Sequence, residues 1–423
     1  MFNKMRFILS GLCIVLANRG LAQSINIDST FTYAQGEGVF INLGKGEGTK
    51  INLLTTTQPG VQYTNIPSLV ATPNSTRMSL NLVRIAVAAS TYKNKITMGL
   101  VTDFTGTTPI LEAWAGYKLS KQAKIIFGQK QTHTNNRLAM EDERFAQVMS
   151  QSIGGTSSDG IMYGGLMHNF VGSTREAGLY VETNFNVGKM RVYPSASLTT
   201  GRGQNFFDAY TQGGYKYGGR LDIMPLGDFI KNNAFIAHDI YREMKPRLAL
   251  GVAASVNVNA SNADGSSNPN VVGIFKKGGK AGFANYRKLV ADAMFKYKGF
   301  AMVGEYMVGT VAGADLFTNT AATNKLTEEV ASGYYNLGSA FNMQTSYVFK
   351  KGLAIDGRFT VVTPEFEMAS SRVNKQDWVT LGINKYLKRN ALKVGINVSY
   401  IHNKGMVVSN EQWVGNFAVQ LLL

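Results

Sequence analysis

The sequence predicts an all-β protein, a transmembrane antiparallel β-barrel of about 16 strands with short periplasmic turns and long outer loops. Runs that alternate apolar and polar residues recur along most of the chain. Beyond the N-terminus, no apolar run approaches the roughly 18 residues that a membrane-spanning helix needs. Gly, Tyr and Phe are abundant, with 45, 19 and 23 residues, whereas Pro is scarce with 9. Aromatic-rich alternating runs between turn residues are typical of barrels.

Residues 1–22 have the pattern of a secretory signal peptide, with a basic start and an apolar stretch at 7–17. Small residues at Gly20 and Ala22 predict cleavage before Gln23. The single cysteine of the chain, Cys13, lies inside this segment. The mature chain is therefore expected to need no disulfide, no thiolate nucleophile and no cysteine metal site.

Residues 23–50 are polar and Gly-rich, and we interpret them as a periplasmic lead-in with one short strand near 39–43. The remaining 51–423 are predicted to form the barrel. Its alternating runs, most of them near the roughly 10 residues of a tilted membrane strand, are 51–63, 77–89, 95–106, 109–118, 123–131, 176–186, 189–200, 214–224, 246–259, 288–297, 299–310, 335–349, 353–364, 376–387, 392–402 and 411–423.

The last two runs show the alternation most clearly. In 392–402, the side chains of Leu392, Ile396 and Tyr400 fall on one face and that of Lys393 on the other, because successive residues of a strand point to opposite sides. The run 411–423 ends the chain on an apolar face. In a soluble protein such an edge invites aggregation, whereas in an outer-membrane barrel the last strand closes the ring and its apolar face meets lipid.

The lengths of the connections agree with this topology, because bacterial barrels have short periplasmic turns and long outer loops. Two connections disagree. The turn near Thr107 and Thr108 is tight although it falls at the outer end. Residues 225–245 are long although they fall at the periplasmic end, and Phe229, Phe235 and Ile240 are spaced to form a short amphipathic helix there.

The charged residues of the predicted strands also follow the alternation of apolar and polar positions. After removal of residues 1–22, 40 of the 43 basic residues remain against 27 acidic ones, a formal charge of +13. A charge on the lipid face costs a few kcal/mol at mid-membrane, so strand charges are assigned to the lumen. The basic ones are Arg84, Lys124, Lys130, Arg191, Arg220, Lys296, Arg358 and Lys393. The acidic ones are Asp103, Glu112, Glu182, Asp222, Asp292, Glu305 and Asp356.

Two interpretations of these charges stay open. They can form ion pairs that stiffen a polar interior, or they can select the solutes that pass.

The longest loop, 132–175, is a candidate constriction, because charged residues at a narrow point set selectivity, and Arg137 and Arg144 lie in it. An outward, solvated loop is the alternative. The basic stretch 271–288 is interpreted either as an anion-attracting mouth or as a lipopolysaccharide contact.

Signals for enzymatic chemistry are weak. The four histidines, His133, His168, His238 and His402, lack paired zinc-ligand spacing, and no local motif indicates a serine–histidine–acid triad. We expect no enzyme, no cofactor and no metal. Nucleic-acid binding is excluded by the predicted place in the outer membrane of a Gram-negative bacterium.

Several stretches resemble the phosphate-selective porin O and P family in its Bacteroidetes form. They cover Arg84 to Val87, Trp114 to Ser120 with the following Phe127-Gly128-Gln129, Tyr217 to Leu221 with Pro225-Leu226, and Leu381 to Leu387. The resemblance implies a homotrimeric porin whose third outer loop narrows the pore and whose basic residues guide anions. The chain departs from the family at the start of that loop, where residues 132–138 replace the family's Pro-Phe and Leu-Glu.

The function expected from these features is an outer-membrane porin for passive diffusion of small hydrophilic solutes, favouring anions such as phosphate. Its pore-lining candidates are Arg84, Lys124, Lys130, Arg137, Arg144, Arg191, Arg220, Arg358 and Lys393. The alternative is a plugged or structural barrel that serves a secretion, adhesion or uptake complex. A barrel for hydrophobic solutes is disfavoured, because the predicted lumen is polar.

Overall fold

A computed structural model describes residues 29–34, 37–44, 48–69, 73–105, 110–140, 175–205, 214–263, 270–313, 315–389, 391–406 and 409–423. The predicted signal peptide, Arg144, His168 and most of the loop 132–175 lie outside these residues. No helix in the described ranges is both long and apolar enough to cross a membrane.

Sixteen antiparallel strands close into a barrel, and the predicted fold class is confirmed. Each strand lies where the alternation of the sequence predicts one. The first eight are β3 Thr49–Asn65, β4 Asn74–Thr91, β5 Ile96–Asp103, β6 Ile110–Lys118, β7 Ala123–Gln131, β8 Arg175–Thr183 with its continuation β9 Phe185–Val187, β10 Met190–Thr199 and β11 Lys216–Met224. The other eight are β12 Arg247–Asn257, β14 Asn285–Tyr297, β15 Phe300–Ala312, β17 Gly338–Val348, β18 Leu353–Pro364, β19 Gln376–Tyr386, β20 Leu392–Lys404 and β21 Ser409–Leu422.

The barrel closes where β21 pairs with β3, with Phe417 opposite Val61. Two hydrogen bonds finish this seam, because Thr55 and Leu423 exchange their backbone N–H groups and carbonyls at 2.8 Å each. This pairing joins the first and last strands of the barrel, and a lipid environment requires a closed sheet of this kind.

The distribution of apolar and polar side chains in the barrel is the reverse of that in a soluble protein. Along β19, Leu381 on the outer face is 68% exposed, whereas the neighbouring Thr380 is 1% exposed and faces inward. Lys393 of β20 is fully buried inside, while Ile396 points outward. The ring centroids of Tyr400 and Trp413 lie 4.9 Å apart, with the rings tilted by 50°, on the outer face near the long-loop end, as expected of an aromatic belt at a membrane interface. An apolar outside around a charged inside is the pattern of a barrel that spans a membrane.

An N-terminal hairpin extends the sheet at the short-turn end. β2 Gly38–Leu43 is the short strand expected in the lead-in, and it pairs with the start of β3. It is preceded by β1 Ser29–Ala34, which the sequence analysis missed. Because β2 lies on the same side of β3 as β21, the hairpin continues the wall beyond the C-terminus of the chain.

The long loops at the opposite end pack on one another. Two short strands, β13 Phe275–Lys276 and β16 Leu316–Phe317, pair there, and a single helical turn, α1 Glu328–Ala331, follows. Tyr335 is fully buried beneath them. Its hydroxyl donates to the carbonyl of Ala260 at 3.0 Å and accepts from the amide of Ala284 at 2.9 Å. This tyrosine therefore ties together two outer loops, the one between β12 and β14 and the one between β15 and β17.

The connection from β11 to β12, residues 225–246, turns into the barrel; we call it the insert. The predicted amphipathic helix is present only as a six-residue 3₁₀ helix, Ile230–Phe235. The segment that follows this helix is buried in the lumen, where Ile236 and Ile240 pack against Val348, Ala354 and Tyr386 of β17, β18 and β19. The extra length of this turn is thus used inside the barrel.

Lys296 of β14 anchors the insert. Its ammonium group donates to the carbonyls of Asn233 at 2.6 Å and His238 at 3.0 Å, and also to that of Ile236. Asp239 of the insert accepts the amide of Gly299 at 2.7 Å, in the turn between β14 and β15. A lysine that faces the lumen therefore stabilises backbone carbonyls that water would otherwise have to satisfy.

We expect Lys296→Met to loosen the insert while the barrel stays closed. Methionine has a similar length but cannot donate, so three carbonyls lose a charged donor at a cost of roughly 1–3 kcal/mol for each buried group left unsatisfied. Limited trypsin digestion of the protein in micelles should cut faster after Arg242, which lies in the insert.

Lys216→Met is the matched control, because Lys216 also lies buried in the lumen but pairs with Glu176 at 2.9 Å, away from the insert. Its insert should resist trypsin as the wild type does. Equal cleavage rates in both variants and the wild type would contradict the anchoring role of Lys296.

Candidate functional site: the charged lumen

The first residues of the long loop after β7 enter the lumen. Thr132, Asn135, Asn136 and Arg137 are at most 1% exposed, and a one-turn 3₁₀ helix, Arg137–Ala139, forms there. The described part of the loop thus follows the inward alternative rather than the outward one. We call residues 132–140 the loop base.

Arg137 holds the loop base to the barrel wall at β11 and β14. Its Nε lies 2.8 Å from Asp292 of β14, and its terminal nitrogen binds Asp222 of β11. Arg220 bridges the same two carboxylates, at 2.6 Å to Asp222 and 2.7 Å to Asp292. Two arginines and two aspartates therefore neutralise one another in a buried cluster, which we call the arginine–aspartate cluster.

Gly251 of β12 leaves the space for this cluster. It pairs in register with Asp222 on one side and Asp292 on the other. A Cβ atom at this position would lie 2.0 Å from an Arg220 guanidinium nitrogen and 2.5 Å from an Asp292 oxygen. Any larger side chain would thus displace the ion pairs.

Two further contacts fix the loop base. The amide of Leu138 donates to the carboxylate of Glu305 at 2.6 Å, and Lys288 donates to the side chain of Asn135 at 2.6 Å. Ala139 packs among apolar residues of β12, β14, β15 and β17, namely Ala253, Val290, Met307 and Ala340. The lumen is therefore not polar throughout, and its apolar strip receives the loop.

Most of the other pore-lining candidates are also paired. Arg84 binds Asp103 at 2.7 Å. Lys130 binds Glu182 at 2.5 Å, and Lys124 lies 3.8 Å from the same carboxylate. The structure thus brings Lys124 and Lys130 together on one acid, with His133 as a third contact at 2.9 Å.

The remaining candidates are scattered. Arg191 lies at the short-turn rim and binds Asp228 of the insert at 2.9 Å. Arg358 is stacked over Trp378 at 5.7 Å, and the buried Lys393 is over the ring of Tyr386 at 5.6 Å. Arg144 lies outside the described residues. The eight candidates that the structure describes therefore do not form one ring.

Several residues of the lumen are not among the candidates predicted from the sequence. Arg175, which begins β8 and pairs with Glu112 at 3.3 Å, was placed in the loop. Asp228 and Lys231 were placed in a turn. Alternation alone would not have found Arg175, because it has the opposite parity to the inward-facing Glu182, and nothing local marks the insert as a lumen segment.

A cavity of about 530 Å³ lies between the loop base and the insert. Its polar lining includes Glu112, Lys130, His133 and Glu182. Its apolar lining comes from Phe229 and Phe235 of the insert, Met140 of the loop base, and Tyr193 and Met224 of strands β10 and β11. All strands that line it belong to the wall from β6 to β11.

The electrostatics of the described lumen are close to balanced. Each acid of the cavity has a basic partner within 4 Å, because Glu112, Glu182, Asp222 and Asp228 all form ion pairs. Buried pairs of this kind stiffen a structure and leave little net charge to attract an ion. Within the described ranges no group of three or more His, Asp or Glu residues could hold a metal ion.

Comparisons with known proteins were made by sequence and by structure. No protein-family model matches the chain, and no curated protein matches it by sequence. Solved structures do match across nearly the whole barrel, although the sequences share little. The chain is similar to an anion-selective porin from Comamonas acidovorans, with a TM-score of 0.54 and 10% identity over 89% of this chain and 100% of that one.

Two further structures are similarly related. The outer-membrane channel DcaP of Acinetobacter baumannii has a TM-score of 0.53 and 11% identity over 89% of this chain and 98% of that one. OprB of Pseudomonas putida has a TM-score of 0.53 and 10% identity over 88% of this chain and 94% of that one. The chain therefore has the porin-type fold, and this fold, with its apolar outer surface, places the chain in the outer membrane as predicted.

Proposed function

We propose that the protein is a passive channel through which small hydrophilic solutes diffuse across the outer membrane. The observation that carries this proposal is a cavity lined by charged and polar groups inside a closed barrel. The porin-type fold supports it, because porins are among the structures that share the fold. We propose no catalytic step and no cofactor.

We propose a modest preference for anions, phosphate among them, that arises at the outer mouth. Lys276, Lys277 and Lys280 are exposed on the loop between β12 and β14, where they raise the local concentration of anions. The arginines of the lumen contribute little to this preference, because carboxylates neutralise them. The narrower resemblance to the phosphate-selective porin O and P family stays a prediction.

A homotrimer and a contact with lipopolysaccharide belong to the same proposal. The wall from β5 to β7 supports the trimer, because its strands have only 8 or 9 residues and its outer face carries Met98 and Phe127, which are 54% and 71% exposed. A low apolar wall of this kind offers a surface for a second copy. The exposed lysines of the outer mouth would meet the phosphates of lipopolysaccharide.

The rival function, a plugged or structural barrel that serves a partner complex, is favoured by one specific observation. Both the loop base and the insert occupy the lumen, from opposite ends. Recording from planar lipid bilayers separates the two functions. The porin function predicts stepwise ion currents. If the pure, correctly folded protein produces no current, the result supports the plugged barrel instead.

We expect the triple variant Lys276→Glu, Lys277→Glu and Lys280→Glu to lower the anion preference. The reversal potential in a salt gradient should move toward cation selectivity at 0.1 M salt, where the screening length is about 10 Å, and much less at 1 M, where it is about 3 Å. A reversal potential that is unchanged at low salt would show that these lysines do not cause the anion preference.

We expect Arg220→Met to destabilise the barrel rather than to change its selectivity. Removal of one partner from a buried ion-pair cluster costs roughly 3–5 kcal/mol, because the remaining charges stay buried without compensation. Urea unfolding in micelles should show this loss.

Arg77→Met is the control for Arg220, because Arg77 is exposed near the rim of β4 and surface substitutions usually change stability by no more than about 0.5 kcal/mol. If Arg220→Met kept wild-type stability and abolished anion preference, Arg220 would be a selectivity residue and the structural role proposed for it would be wrong.

A further inference from the structure

The loop base and the insert occupy the same side of the lumen. Leu138 of the loop base packs in one cluster with Phe229, Ala234 and Ala237 of the insert, together with Met294 of β14. The two segments therefore meet inside the barrel although they enter from opposite ends. Together they lie against the wall from β14 to β19.

The contacts on this filled side are close. Ala354 of β18 is fully buried against Ile236 and Ile240 of the insert. His238, also fully buried, lies 3.4 Å from Asp356 of the same strand. Two of the predicted pore-lining residues, Arg358 and Lys393, are on this side, and they are 3% and 0% exposed.

The cavity lies on the other side, along β6, β7, β8, β10 and β11. Ser195 of β10 faces it, and this residue pairs in register with Glu182 of β8 and Arg220 of β11, both of which point into the lumen. The described part of the lumen is thus divided into a filled side and a side with room for a solute.

We propose that solutes pass along the β6–β11 wall only, and that this cavity binds small uncharged polyhydroxy solutes of the size of a monosaccharide. This inference rests on the proposed channel function. Solutes then follow a path along one wall instead of passing through a ring of basic residues. The narrowest point of this path lies between the loop base and the insert.

The chemistry of the two walls supports this class of solute. On the polar wall, Glu182 is shared by Lys130 and His133, so the wall offers hydrogen-bond donors and acceptors with little net charge. The insert forms the second wall and offers apolar contact through Phe229 and Phe235, while Tyr193 of β10 adds an aromatic ring on the barrel wall. A sugar has hydroxyl groups for the first wall and a C–H face for the second, whereas a phosphate ion would find its cations already bound.

The path can be located by thiol labelling, because the chain has a single cysteine, Cys13, which lies in the predicted signal peptide. In the full mature protein, Ser195→Cys places a thiol on the cavity, and Ala354→Cys places one under the insert. We expect a methanethiosulfonate carrying a sulfonate group to lower the single-channel current of Ser195→Cys and to leave that of Ala354→Cys unchanged.

The ligand is tested with glucose and inorganic phosphate as probes. Glucose should reduce the wild-type ion current more than it reduces that of Phe235→Ala, because the apolar contact is lost, and comparison in the same solution removes the effect of viscosity. Phe359→Ala, on the outer face where Phe359 is 43% exposed, should behave like the wild type.

Each possible outcome tests a different part of the proposal. The absence of any current would overturn the proposed channel function. Currents with labelling at Ala354→Cys, or without it at Ser195→Cys, would overturn the one-sided path. Currents reduced equally by glucose in all variants, or reduced by phosphate alone, would overturn the binding of uncharged solutes while the path stands.

Discussion

The structure depends on one constraint, which is that a charged side chain cannot face lipid and must therefore face the lumen. There it meets other charges in a narrow space with little water, so each requires a partner of opposite sign. The arginine–aspartate cluster is the clearest result. Arg220, Asp222 and Asp292 come from the wall, and Arg137 comes from the loop base. The same pairing that neutralises the wall therefore draws the loop inward.

The arrangement of strands was predictable because their signal is local. Alternation places Leu381 outside and Lys393 inside without any knowledge of their neighbours, and each of the sixteen strands lies where an alternating run was predicted. The boundary of β8 was missed by one residue, which hid Arg175 in the preceding loop. The direction of the strands followed from the lengths of their connections.

The contents of the lumen were only partly predictable, because they depend on contacts between distant parts of the chain. Lys296 was assigned to the lumen, but its partners are backbone carbonyls of the insert, which leave no mark in the sequence. The charge of Arg220 suggested selectivity, whereas its geometry shows a residue saturated by two aspartates. The distances that favour the ion-pair interpretation are set by the fold and are not visible in the sequence.

The loop base and the insert are folded into the lumen and held there by buried contacts. Hydrogen exchange of the reconstituted protein can follow two of these contacts, through the amide of Leu138, bound to Glu305 at 2.6 Å, and the amide of Glu243, bound to Asp239 at 3.0 Å. Both amides are expected to exchange as slowly as amides of the barrel strands, because opening them requires breaking buried contacts. Exchange as fast as that of a solvated loop would contradict this arrangement.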